Sequence, residues 1–115
     1  MSTEFNRDQL NITSMQVILH AGNAREQTMK VLTELSKEKP DLSLIKVSLK
    51  EAHAEITEAH VHQTDMIQKE ANGDFIPFSV LFSHAQDTLM TIQSELLIAE
   101  KLVTIVARLE DLNNE

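Results

Sequence analysis

Residues 79–112 read SVLFSHAQDTLMTIQSELLIAEKLVTIVARLEDL, and the spacing of their apolar residues decides the fold. Phe82, Ala85, Leu89, Ile92, Leu96, Ala99, Val103 and Val106 recur at alternating steps of three and four, the signature of one apolar face of an α-helix. That stripe suffices to face two neighbouring helices. At 100° per residue a second stripe lies well round the cylinder from it: His84, Asp87, Thr91 and Ser94, then Ile98, Leu102, Ile105 and Leu109. A lone three-helix bundle has no use for four large aliphatics in that position, so self-association is expected through them.

Upstream the same periodicity appears twice. Ile45, Leu49, Ala52, Ile56, Ala59, Gln63 and Met66 form the stripe of a second helix over about 41–71, and Val17, Ala21, Ala24, Thr28, Val31 and Leu35 that of a first over about 8–36. Pro40 stops the first, since proline disfavours helix in the residue before it, and Asp41 can cap the second. Gly73 supplies a left-handed stop after the second, and Ser79 caps a third helix over about 79–112. Met1–Arg7 and Asn113–Glu115 are expected to fray. The predicted fold is all-α: one domain over 1–115, an antiparallel up-down-up three-helix bundle with helices about 45 Å long.

Composition agrees. Hydrophobic residues make up 42% but aromatics only 3%, so the apolar mass is Leu, Ile, Val, Ala and Met, as in helix–helix seams. Two Gly and two Pro are too few for a turn-rich β fold. A net charge of −8 repels nucleic acid and anionic membrane, so neither is an expected partner. Without cysteine there is no disulfide, thiolate nucleophile or Cys-based zinc site. The polar N-terminus and the lack of any apolar run of membrane length predict a cytoplasmic protein with no direct membrane insertion; the Asn11-Ile12-Thr13 sequon is read as chance.

Chemistry therefore rests on the histidines. A di-metal carboxylate bundle needs Glu-x-x-His repeats, which are absent, and His60 and His62 put their rings on different faces. There is no glycine-rich phosphate loop and no strained nucleophile turn. What remains is Ser83-His84-Ala85-Gln86-Asp87-Thr88-Leu89-Met90, where His84 and Asp87 are neighbours on one helix face beside Thr91. An imidazole can accept and return a phosphoryl group at neutral pH, one nitrogen attacking while the other is held as N–H. Ser83, Gln86, Thr88, Gln63 and Thr64 are candidate donors to the phosphoryl oxygens.

His84-Ala85-Gln86-Asp87 with Leu89-Met90 resembles the His-Ala-Gln-Asp-His-Leu-Met block of the lactose/cellobiose-type enzyme IIA family of the bacterial sugar phosphotransferase system. Glu58-Ala59-His60 with Gln63-Thr64, then Glu70-Ala71 and Gly73, resembles that family's Glu-Ala-His-x-x-Gln-Thr…Glu-Ala-x-Gly stretch. Ala21-Gly22-Asn23-Ala24-Arg25 is similar to its first-helix Ala-Gly-x-Ala-Arg. The blocks occur in family order and cover about Leu10 to Leu109.

The resemblance implies a homotrimer forming a nine-helix bundle. It implies that His84 takes phosphate from HPr and passes it to a cysteine of the cognate enzyme IIB during uptake of a lactose/cellobiose-type disaccharide, with Gln86 and Thr88 in support. It also implies that Asp87 sits near the threefold axis, where three copies hold a divalent cation of the Mg²⁺ kind; three converging carboxylates would otherwise repel. The other readings of Asp87 are an acceptor that orients His84, or an exposed charge. The family has a second histidine where this chain has Thr88, whose hydroxyl can donate but cannot carry charge. Two rival functions stand beside this one: a two-component histidine phosphotransfer domain, which would place Lys where Asp87 stands, and a non-catalytic helical adaptor with an incidental His84.

Overall fold

The structure is a computed structural model that describes residues 6–113. Three helices account for nearly all of them: α1 (Arg7–Leu35), α2 (Leu42–Ala71) and α3 (Val80–Asn113), with no strand among the described residues. Each boundary has a local cause. The Asn6 side chain accepts the Gln9 N–H at 2.8 Å to open α1, and Asp41 accepts the N–H groups of Ser43 and Leu44 to open α2. Ser79 opens α3: its Oγ accepts the Phe82 N–H at 3.0 Å and its carbonyl the Ser83 N–H at 3.1 Å. After α2, Gly73 takes φ 101°, which only glycine adopts without strain.

The expectation that Met1–Arg7 frays is corrected at its end. Asn6 is the cap, and Arg7 lies in α1 with its guanidinium donating to the Phe78 carbonyl at 3.0 Å. Asn113 closes α3 rather than lying beyond it. Residues 1–5 and 114–115, on which the rest of the fraying expectation falls, lie outside the described residues.

Cross-helix contacts fix the directions. Glu34 meets Asp41 and His20 meets Glu55, so α1 and α2 run antiparallel; His53 meets Glu100, so α2 and α3 do too. Arg7 meets Phe78 and Arg25 meets Glu95, offsets of 71 and 70 residues that make α1 and α3 parallel. This is the up-down-up bundle.

The expected stripes are the core: Val17, Ala21 and Ala24 of α1 pack with Ala52, Ile56 and Ala59 of α2 and with Ala85, Leu89, Ile92 and Leu96 of α3. The three helices do not pack symmetrically. α1 lies close along both other helices, whereas α2 and α3 approach each other over a short stretch only. The α3 stripe joins one core cluster with residues of both α1 and α2, as expected, with α3 lying closer to α1. Polar positions on the buried side of α1 are satisfied within the helix, Ser14 Oγ donating to the Leu10 carbonyl at 2.7 Å and Thr28 Oγ1 to that of Ala24 at 2.8 Å.

With an offset of 70 residues, α1 ends opposite about Ile105 of α3, which runs on past it. On the second stripe of α3, Ile98, Leu102, Ile105 and Leu109 remain 57%, 39%, 52% and 54% exposed, and of these only Leu109 lies beyond the end of α1. The described residues therefore leave about half of each of these four aliphatics open to water.

Candidate functional site

The N-terminal turns of α3 position the candidate site. Ser79 is buried and fixes the start of the helix, so His84 falls just past its first turn. Side chains on a helix lean toward its N-terminus, so the imidazole inclines toward the partial positive charge of the first turn. His84 is exposed and makes no hydrogen bond or ion pair among the described residues. The ring is free to meet a partner.

Asp87 and Thr88 follow at three and four positions and share His84's face, Asp87 exposed and Thr88 half-buried. The Asp87 carboxylate makes no bond among the described residues; its backbone carbonyl accepts from Thr91 Oγ1 at 2.8 Å. Gln86 points elsewhere. It stands about 200° round the helix from His84 and, with Ser83, lines a cavity of about 200 Å³ shared with Met66, Ile67 and Glu70 of α2. On α2, Gln63 is buried and Thr64 exposed, with no hydrogen bond from either to α3 among the described residues. Of the sequence candidates, the subunit therefore gathers His84, Asp87 and Thr88 on one face and leaves Gln86, Gln63 and Thr64 apart from them.

The remaining block residues divide into packing and cross-links. Ala21, Ala24, Ala59 and Ala85 are fully buried where helices approach closely. Arg25 donates to Glu95 at 3.1 Å and ties α1 to α3. A second polar group is not legible from spacing along any one helix: His20 of α1 meets Glu55, Glu58 and His62 of α2. The signal that could have found it is Glu58 and His62 at i and i+4, combined with the α1–α2 register.

Residues 12–107 match the family described as PTS system, Lactose/Cellobiose specific IIA subunit. The chain belongs to this family. It is 35% identical over 86 residues to the PTS system lactose-specific EIIA component of Lactococcus lactis subsp. lactis, covering 75% of this chain and 80% of the relative. It is 38% identical over 93 residues to the PTS system oligo-beta-mannoside-specific EIIA component of Bacillus subtilis strain 168, covering 77% and 80%. Its fold is similar to that of the PTS cellobiose-specific enzyme IIA from Bacillus anthracis, with a TM-score of 0.81, 32% identity, and coverage of 93% and 94%.

Family membership makes this a IIA component of a sugar phosphotransferase system, and it sets aside the two-component reading. The sugars named for these relatives differ. Among the described residues no helix is long and apolar enough to cross a membrane.

Proposed function

We propose that this IIA component carries the phosphoryl group on His84, receiving it from phospho-HPr and passing it to the cysteine of its cognate enzyme IIB during uptake of a lactose/cellobiose-type disaccharide. The observation that supports this most directly is the exposed imidazole of His84, unpartnered among the described residues, beside Asp87 and Thr88 and inside the span matched by the family. In the first step an imidazole nitrogen forms a bond to phosphorus as the N–P bond of phospho-HPr breaks. In the second the thiolate of IIB attacks phosphorus and the His84 N–P bond breaks. Thr88 donates its hydroxyl to a phosphoryl oxygen. Phosphorylation adds close to two negative charges, a change the next partner can read.

The proposed working unit is a trimer joined through the exposed aliphatics of α3, with Asp87 of three copies around a divalent cation. Carboxylate oxygens suit a hard cation such as Mg²⁺, and the exposure of Asp87 on the same stripe as the apolar patch is consistent with that placement. A single subunit offers one carboxylate there, so the site depends on the assembly.

Incubation with enzyme I, HPr and phosphoenolpyruvate tests the carrier reading. Acid-labile phosphate that requires HPr and transfers onward to IIB is the expected result. No labelling would leave the adaptor reading in its place.

A further inference from the structure

We infer that His20, Glu58 and His62 form a binding site for a divalent transition-metal ion of the Zn²⁺ class, spanning α1 and α2. Their candidate ligand atoms all lie within 4.8 Å of one another. Glu58 and His62 are one turn apart on α2, and His20 reaches them from α1, so the packing of two helices assembles the set.

Two further observations separate this group from a chance cluster of surface charge. His20 Nδ1 lies 2.6 Å from a Glu55 carboxylate oxygen. A carboxylate accepts, so Nδ1 donates in this hydrogen bond and Nε2 is the ring's candidate ligand atom. Asn23 Nδ2 donates to the same Glu55 oxygen at 3.4 Å and helps hold it. This is the carboxylate–histidine arrangement that orients imidazoles in metal centres. Secondly, the His20 and His62 rings stack, with centroids 6.1 Å apart and planes 11° apart. The stack holds the two imidazoles side by side across the α1–α2 seam, so both ligand side chains are already positioned by packing.

Two imidazoles and one carboxylate give a mixed nitrogen–oxygen set. Imidazole selects Zn²⁺ and its neighbours over Mg²⁺ and Ca²⁺, and three protein ligands leave a position for water or a fourth donor. The site is distinct in chemistry and ligands from the all-oxygen cation proposed at Asp87, and it does not rest on the phosphoryl-carrier reading.

Titration of the full chain with Zn²⁺ alone, followed by calorimetry, tests it, with Co²⁺ as a spectroscopic probe. We expect saturable binding of one ion per chain and a visible ligand-field band for Co²⁺. Both should survive His84→Ala and Asp87→Asn and be lost in His20→Ala and in His62→Ala, with circular dichroism confirming that each variant is helical. Glu55→Gln, which keeps all three ligands, should weaken binding about 10- to 100-fold. Binding unchanged by both histidine substitutions, or no saturable binding in the wild type, would overturn the proposal. Loss of binding only in Asp87→Asn would also overturn it, by placing the ion elsewhere.

Discussion

At the scale of single residues, the proposed carrier chemistry turns on an imidazole with no hydrogen-bond or ion-pair partner among the described residues. His84 is exposed, so replacing it removes no packing, and His84→Ala is expected to fold normally and accept no phosphate in the HPr-dependent assay. Phosphate appearing on His60 or His62 instead would move the site to α2. Thr88 is half-buried on the same face, and its hydroxyl stands where the family carries a second histidine. A hydrogen bond to a charged group contributes about 1.5–3 kcal/mol, so Thr88→Val should slow transfer by about tenfold or more without altering the fold. Thr88→His should remain active. Equal single-turnover rates for the three proteins would make Thr88 a bystander.

At the scale of helices, most of the design is legible in the sequence because period and punctuation act locally. The stripes of α1, α2 and α3 turned out to be the buried faces, and Asp41, Gly73 and Ser79 mark the boundaries they suggest. The unequal packing was not legible, since it depends on how the three helices meet across the bundle and not on spacing within any one of them. The His20–His62 group was hidden for the same reason: its members are far apart in the chain and meet only through the α1–α2 register. Nor does spacing reveal that Glu34 staples the α1–α2 link, accepting from the Asp41 N–H and from Lys37 Nζ, each at 3.0 Å. The Asp41 N–H first, and then Lys37, hold the Glu34 carboxyl below its ordinary value of 4.5. A depressed carboxylate pKa stabilises the fold above the unfolded value and loses that contribution as pH falls through the folded one. Glu34→Gln should therefore lower the melting temperature at pH 7, and the difference from wild type should shrink as pH drops below about 4.5. A difference constant from pH 7 to pH 3 would assign the effect to shape rather than charge. Gly22 offers a complementary measurement. A Cβ built there meets nothing within 4 Å, so relief of backbone entropy should make Gly22→Ala more stable by about 0.4–1 kcal/mol in urea unfolding. Destabilisation would show that another chain packs against that face.

At the scale of the whole molecule, the unresolved physical demand is the apolar end of α3. Its helix outruns α1, and Ile98, Leu102, Ile105 and Leu109 lie on one stripe with roughly half of each surface open to water. Covering the remainder of each contributes about 1 kcal/mol, repeated in every subunit, which favours the proposed trimer against the entropy of association. The same stripe begins at His84 and Asp87, so closing the patch around a threefold axis also draws three Asp87 carboxylates together. Their repulsion opposes assembly unless a hard cation lies among them. Association should consequently depend on both terms, and they can be separated. Sedimentation of the wild type is expected to show a trimer at micromolar concentration that weakens when divalent cations are chelated. Asp87→Leu removes the repulsion and the ligand at once, so its trimer should be as strong or stronger and indifferent to chelator. Leu102→Glu places charge within the apolar contact and should yield monomers with or without cation, while His84 can still be labelled. A wild type that sediments as a monomer would remove the trimer and the Asp87 cation together, because one subunit holds only one of the three carboxylates.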